Sequence, residues 1–469
     1  MNKLQTNLSK KSIEEIKILI EKEELDIPDW VEEKSLNEVI FAEEYIEKRP
    51  MRCLHGNLYD MDGLVPDEKV KSDIYLKIKD YVKTGVDKRA ENLLKVIKLS
   101  CQVDEIPVDM NKIHFLNGTY EIGKGFSEHK EWSINRLPVA YNSEAPEPER
   151  WLQFLEQLLD KDDIETLQEF MGYTLIPCTR AQTMLLIIGK GGEGKSRIGV
   201  VLRNILGINM NTGSLKKLES NRFCLADQET KLLLFDDDMS IESLPSTNVI
   251  KAVVTAEGKM DMEQKGKQSY QGNLYVRLMG LGNGALKALY DRSQGFYRRQ
   301  LILNTKDKPI DRVDDKNLSD KLLAEVEGIV LWCIKGLERL VNNGYMFSVS
   351  DRAQKAKNDM ICENNNIVSF LASSGYIKFG KNLVATSKSL YSSYSDWCYD
   401  NAEKPMAQVS FFKYLGEHAS ELSIEPVKNL HLDNRKSLRG YKGVEVVVSF
   451  HNADNRILIE PDEDIISAL

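Results

Sequence analysis

Apolar and polar positions alternate along this chain in several distinct rhythms. Ile13, Ile16 and Ile20 share one helical face behind a capping box from Ser12 to Glu15, which predicts a helix over 12–25. "MRCLHGNLYDMDGLV" predicts a short strand pair, and "IHFLNGTYEIG" and "WSINRLPVAYN" predict further short strands bounded by glycine and proline. "NSEAPEPER", rich in acid and proline and without apolar period, predicts a boundary segment. Amphipathic helices follow in "ERWLQFLEQLLD" and "DDIETLQEFMGYTL", the second opening on an aspartate cap. From about Pro177 to Asn304 apolar strands alternate with helical stretches, the order of an α/β sheet. "DKLLAEVEGIVLWCIKGLERLVNN" closes that region as helix, and "SVSDRAQKAKNDMICENNN" predicts a polar helical linker. The final part predicts three amphipathic helices, "NIVSFLASSGYI", "TSKSLYSSYSDWCYDN" and "AQVSFFKYLGEHASEL", then paired strands in "PVKNLHLDN" and "GYKGVEVVVSF". Three helices and a hairpin outline a winged helix-turn-helix. The expected boundaries are 1–84, 85–176, 177–343, a linker over 344–365, and 366–469.

One stretch breaks the apolar pattern in an informative way. "LLIIGKGGEGKSRIGVVL" sets a glycine-packed turn between a buried-strand pattern and a helical one, in which Ile198, Val201, Leu202 and Ile205 recur. Its centre fits the phosphate-loop pattern G-x-x-x-x-G-K-[ST], with Gly189, Gly191, Gly192, Glu193, Gly194, Lys195 and Ser196. Glycines let backbone N–H groups turn toward a polyphosphate, and the helix N-terminus adds its positive end. Lys195 is expected on the outer phosphates of ATP and the Ser196 hydroxyl on Mg2+. "KLLLFDDDMS" then places Asp236, Asp237 and Asp238 at the end of an apolar strand, where a carboxylate holds the metal and another orients the attacking water. "YVRLMGLGN" ends a third strand on Asn283, and "DRSQGFYRRQLIL" sets Arg298 and Arg299 before a fourth. Arginine is the residue for stabilising a transferring phosphoryl group across an interface.

Composition narrows the class. The chain has 469 residues, 42% hydrophobic and 29% charged, the proportions of a soluble globular protein of several domains. Its opening lacks a signal-peptide core and no apolar run reaches membrane-spanning length, so a cytoplasmic location and no membrane partner are expected. Seven scattered cysteines without C-x-x-C indicate reduced thiols. Net charge is −9, yet base gathers in "KGKQ", "YRRQ" and "NRKSLRGYKG". Lys428, Arg435, Lys436, Arg439 and Lys442 face only Asp433 in the final hairpin, a basic wing fit for double-stranded DNA.

Taken together, "GKGGEGKS", "LLLFDDD", "EGKMDMEQKGKQ", "LMGLGN" and "FYRRQL" resemble the superfamily 3 helicases, in the branch of poxvirus, phage and plasmid primase-helicases. "HFLNGTYEI", "INRLPVAYN", "WLQFL" and "LQEFMGYTLI" look like that branch's N-terminal domain, which makes 85–176 collar-like. The whole layout is similar, more loosely, to the self-loading replication-initiator helicases of staphylococcal pathogenicity islands. The resemblance implies an AAA+ ATPase ring, usually a hexamer, with single-stranded DNA in its pore. It puts Lys265 and Lys267 on the pore hairpin and an arginine finger on Arg298 or Arg299. It favours Asp236 with Asp237 over Asp237 with Asp238, and so Asp236 with Ser196 at the metal. Residues 1–84 lack an acidic-strand constellation, so no primer synthesis is expected. The implied function is an ATP-driven replicative helicase and initiator of a mobile genetic element in a bacterial host cell, with origin binding by 366–469. The alternatives are an AAA+ ATPase remodelling protein, and a nucleotide-dependent initiator without unwinding. Lysines rather than aromatic residues at the hairpin separate the first alternative from the helicase.

Overall fold

The computed structural model describes residues 27–32, 35–239, 244, 246–284, 294–309, 315–373, 375–430 and 438–447. The helix expected over 12–25 lies outside them. The chain divides into two units, residues 1–108 with 130–136, and residues 109–129 with 137–469.

The first unit contains α1 (Glu38–Lys48), β1 (Arg52–Leu54), β2 (Asn57–Asp60), β3 (Gly63–Val65), α2 (Asp67–Ile78) and α3 (Val86–Ser100). Asn37 starts α1 by accepting the Ile40 N–H at 3.2 Å. The expected strand pair is a three-stranded antiparallel meander, β1-β2-β3. Helix α3 lies beyond the expected boundary at 84/85, yet Leu93, Leu94 and Ile97 share one core with Phe41 of α1 and Ile74 of α2. Its apolar stripe finds its cover in the two preceding helices.

The second unit opens with an antiparallel sheet of β4 (Lys112–Phe115), β5 (Gly118–Glu121) and β6 (Gly125–Ser127). "WSINRLPVAYN" forms no strand. Leu137 N–H donates to the His114 carbonyl at 2.7 Å and Leu116 N–H to that of Val139 at 3.0 Å, but Pro138 between them has no N–H to extend a ladder. Helices α4 (Glu149–Leu158) and α5 (Lys161–Tyr173) lead to the main sheet. Its elements are β7 (Met184–Ile188), α6 (Ser196–Leu206), β8 (Met210–Thr212), α7 (Leu215–Ser220), β9 (Leu233–Met239), α8 (Asn248–Val254), the hairpin β10 (Lys259–Met262) and β11 (Tyr270–Asn273), β12 (Arg277–Gly282), α9 (Gln294–Tyr297) and β13 (Gln300–Asn304). Five parallel strands run in the order β13-β7-β12-β9-β8.

Both faces of this sheet are covered, which is why its strands read as unbroken apolar runs. Leu185, Leu233 and Phe235 face α5, α6 and the later α11 (Val326–Asn342), which follows α10 (Leu318–Leu323). Leu186 and Leu234 face α7, α8 and α9. The first core also includes Ile113, Phe115 and Trp151, so it runs across the expected boundary at 176/177.

The expected linker is helical, as α12 (Asp351–Asn364). It is not detached: Ala356 and Met360 pack on the α7–α9 side of the sheet, and Ile361 touches both that core and the next. The final module is α13 (Asn366–Leu371), β14 (Ile377–Thr386), α14 (Ser387–Asp400), α15 (Gln408–Glu417), β15 (Glu425–Leu430) and β16 (Leu438–Val446). Its antiparallel sheet has the order β14-β16-β15. Helix α13 itself ends at Leu371, and strand β14 lies between the first two expected helices, beginning at Ile377, the last residue of the first. Its pairing slips between Phe379 and Val384, which breaks the two-residue alternation that marks a strand. Phe370, Tyr394 and Phe411 centre the module's core, the last two stacked at 4.6 Å.

The fold is thus a multidomain mixed α/β one built on a parallel sheet. Among the described residues no helix is long and apolar enough to cross a membrane.

Candidate functional site

The glycine loop leaves the carboxyl end of β7, which lies between β13 and β12. Helix α6, after β7, lies on one face of the sheet, whereas α9, after β12, lies on the other. Ligands of open parallel sheets bind at such a switch point, outside the carboxyl ends. Gly191, Gly192 and Gly194 have φ of +104°, +83° and +103°, values only glycine adopts without strain. They let the loop turn tightly before α6 begins at Ser196, which is exposed, while the Gly189 N–H stays with the sheet and donates to the Gly282 carbonyl at 3.0 Å.

Inside the loop, Lys195 and Glu193 form a buried ion pair. Lys195 Nζ donates to Glu193 Oε2 at 2.8 Å, and the side chains are 8% and 4% exposed. Glu193 Oε1 accepts the Gly191 N–H at 2.7 Å. Burial opposes the carboxylate's charge, but the Lys195 ammonium and the backbone N–H groups hold its pKa below the usual range.

Two neighbouring strand tips reach this loop. Asn283, exposed at the end of β12, lies beside Gly191, where an added Cβ would stand 3.8 Å from its Oδ1. Thr305 follows β13; its N–H donates to the Ile188 carbonyl at 2.8 Å. A Cβ on Gly189 would lie 2.2 Å from Thr305 Oγ1, 2.8 Å from Lys195 Nζ and 3.0 Å from Glu193 Oε1. Those three polar atoms therefore converge on one point. Sequence reasoning missed Thr305, although its signal was available: it is the first polar side chain after Asn304 at a strand tip, the rule that found Asn283.

The three aspartates separate. Phe235 rests against α6, where a Cβ on Gly199 would meet its ring at 2.4 Å. Asp236, one residue on, points to the opposite face and accepts the Leu215 N–H of α7 at 2.8 Å. It is 5% exposed, and burial pushes its carboxyl pKa up, offset in part by bonds from the Leu215 and Asp238 N–H groups. The pairing of β9 with β12 shifts between Gly280 and Gly282, and Asp237 and Asp238 are both exposed there. A bulge at a strand end re-aims side chains in this way. The geometry thus sets Asp236 apart from the exposed pair, where the sequence reading had favoured Asp236 with Asp237.

Arg298 and Arg299 sit at the opposite end of the sheet from the loop, since Met184 N–H, at the start of β7, donates to the Arg299 carbonyl at 2.7 Å. Strands β7 and β13 each have five residues, so about 16 Å of strand separates these arginines from the loop of their own chain. Arg299 turns back and donates to the Gly295 carbonyl of α9, whereas Arg298 is exposed.

Lys265 and Lys267 are exposed at the tip of the β10–β11 hairpin, with Gly266 between them at φ +75°. The hairpin is anchored by buried Met262 and by Tyr270, whose hydroxyl donates to Glu229 Oε2 at 2.6 Å. In the final module Lys428, Arg439 and Lys442 are exposed, Lys442 directly opposite Glu425 across the ladder. Arg435 and Lys436 lie outside the described residues. On α15, Phe411 and Leu415 are buried, while Val409 is 81% exposed and Lys413 and Glu417 share its outer face.

Oxygen donors suited to a hard cation are the Ser196 hydroxyl after the loop and the exposed Asp237 and Asp238 carboxylates near the carboxyl end of β9, two strands away in the sheet. Among the described residues no group of three or more acids, histidines or cysteines gathers to hold a metal. A hydroxyl with one or two carboxylates is the donor set that magnesium takes alongside substrate phosphates and its own waters.

The fold and site define a parallel-sheet protein with a glycine loop at its switch point. A family of unknown function, DUF5906, matches residues 187–299, from the strand before the loop to the arginine pair. No curated protein matches. Among solved structures, an A-form apo structure of the NrS-1 C-terminal region (305–718) is 11% identical, covering 87% of this chain and 99% of that one at a TM-score of 0.49. A second apo structure of that region is 12% identical over 88% and 100% of the two chains, also at 0.49. Another A-form structure gives 12% identity, 82% and 94% coverage and a TM-score of 0.44.

Proposed function

We propose that the chain is a magnesium-dependent ATPase that moves DNA during replication, a superfamily 3 helicase of AAA+ type. The observation that supports this best is the convergence of Lys195, Asn283 and Thr305 on a glycine loop at the switch point of a parallel sheet. In this reading the N–H groups of 190–195 and the Lys195 ammonium bind the phosphates, and Ser196 with Asp237 would hold the magnesium, which would neutralise charge on them. Asp237 or Asp238 orients the attacking water, and Asn283 and Thr305 contact the outer phosphate. Asp236 holds β9 to α7 instead.

Arg298 faces away from its own loop, so its proposed partner is the loop of a neighbouring copy. That supports a ring, with a hexamer as the reading taken from the resemblance. The exposed hairpin lysines then face single-stranded DNA in the pore. For the final module, the order helix, strand, two helices, two strands supports a winged-helix reading. Helix α15 would enter the major groove of double-stranded origin DNA, with Val409 placed for a thymine methyl and Arg439 on the wing.

The test is ATP hydrolysis by the full chain with and without single-stranded DNA, compared with Lys195→Ala and with Lys265→Ala/Lys267→Ala. Turnover is expected to vanish in Lys195→Ala. The hairpin double variant is expected to keep its basal turnover and lose the stimulation by DNA. Each lost phosphate contact also lowers the salt slope of single-strand binding by about 0.7. Hydrolysis by Lys195→Ala at the parent rate would remove the ATP site; unchanged DNA stimulation in the double variant would remove the hairpin.

A further inference from the structure

Glu193 does something in the loop that a phosphate-binding role does not need. Its two carboxylate oxygens take the Lys195 ammonium at 2.8 Å and the Gly191 N–H at 2.7 Å. These are donors on which the proposed nucleotide site depends. A carboxylate and a phosphate oxygen are both acceptors, so one set of donors cannot serve both at once. The pair is also buried, where its attraction is screened far less than that of an exposed pair.

We propose that Glu193 is a built-in competitor for the loop's phosphate donors, which any incoming polyphosphate must displace. The inference rests on the reading of residues 189–196 as a phosphate loop. It makes Glu193 a determinant of affinity rather than a ligand: the chain exists in a latched form, with Glu193 on Lys195 and Gly191, and an open form that binds. Apparent affinity is reduced by the fraction of chains that are open, whatever the ligand. A polyphosphate repays the displacement because it also reaches the exposed Ser196 hydroxyl at the start of α6. Inorganic phosphate reaches fewer of the loop's donors, so it starts from a weaker intrinsic affinity and the latch lowers it by the same factor.

A purely structural role for Glu193 predicts the opposite result on substitution. If the carboxylate only shaped the loop, removing it would loosen the donors and weaken every ligand. If it were a magnesium ligand, removing it would weaken only the magnesium complexes. A competitor predicts a gain, and one factor common to all phosphate ligands.

The experiment is calorimetric titration of the full chain, its Glu193→Gln and Glu193→Ala variants, and Lys195→Ala, with magnesium-ATP, magnesium-ADP and magnesium pyrophosphate. Gln keeps the shape and the acceptor for Gly191 while removing the charge that holds Lys195; Ala removes both. If the latch is favoured about tenfold, Glu193→Gln tightens all three ligands by about tenfold, each by the same factor. Glu193→Ala tightens them as well; weaker binding in Glu193→Ala beside tighter binding in Glu193→Gln also supports the competitor, assigning the latch to the charge and the loop's shape to the side chain. Unchanged or weaker binding in Glu193→Gln, with ATP still binding the parent and not Lys195→Ala, overturns the competitor and leaves the nucleotide site standing. Absence of ATP binding to the parent and both Glu193 variants overturns the nucleotide site, and the competitor with it.

Discussion

Arg298→Ala is expected to lower ATP turnover about a thousandfold or more while leaving nucleotide affinity close to that of the parent. The guanidinium is exposed, and β13 carries it to the far end of the sheet from its own loop. An arginine so placed has no transition state to stabilise within its chain, and one to stabilise if a second copy presents its loop there. The control is Arg299→Ala. That side chain already donates to the Gly295 carbonyl of α9, so its loss should lower stability by about 1 kcal/mol and spare most of the turnover. Mixing Arg298→Ala with Lys195→Ala provides the decisive comparison, because mixed assemblies contain some interfaces with an intact loop and an intact arginine. Partial recovery of hydrolysis on mixing is the expected result. Normal hydrolysis by Arg298→Ala alone would mean that it reaches no neighbour's phosphate.

Asp237→Asn is expected to retain nucleotide binding and to lose hydrolysis by at least about a hundredfold, because the amide keeps the size of the side chain but not its charge. Asp236→Asn should behave differently. Its carboxylate is buried against the Leu215 N–H, so the substitution should lower thermal stability with a smaller effect on turnover. Steady-state kinetics and thermal unfolding of the two variants, measured side by side, check the assignment. A severe turnover loss in Asp236→Asn with unaltered stability would return the metal to Asp236 and refute the separation of the three aspartates.

How much of this was legible in the residues follows from how local each feature is. The loop, its strand and its helix were readable because glycine spacing, an apolar run and a 3.6-residue period all lie within "LLIIGKGGEGKSRIGVVL". Thr305 was not, since its role depends on β13 lying next to β7, a pairing between segments more than a hundred residues apart. The choice among Asp236, Asp237 and Asp238 needed the face taken by Phe235 and the irregular pairing at the end of β9, neither of which leaves a mark in "LLLFDDDMS". Likewise, the two adjacent arginines look alike until the Gly295 carbonyl engages one of them. Strand β14 was hidden because its register slips near Gly380 and Lys381, so the alternation that identifies a strand is interrupted. Helix α12 was legible as a helix but not as a packed one: the apolar residues it packs, Ala353, Ala356, Met360 and Ile361, are outnumbered by polar ones along its length.

The most direct measurement of the central claim is strand displacement on forked DNA by the full chain, with magnesium and either ATP or a non-hydrolysable ATP analogue. The account predicts displacement with ATP, none with the analogue, and none by Lys195→Ala under either condition. Displacement that proceeds equally with the analogue, or an ATP-hydrolysing chain that never separates the strands, would contradict it.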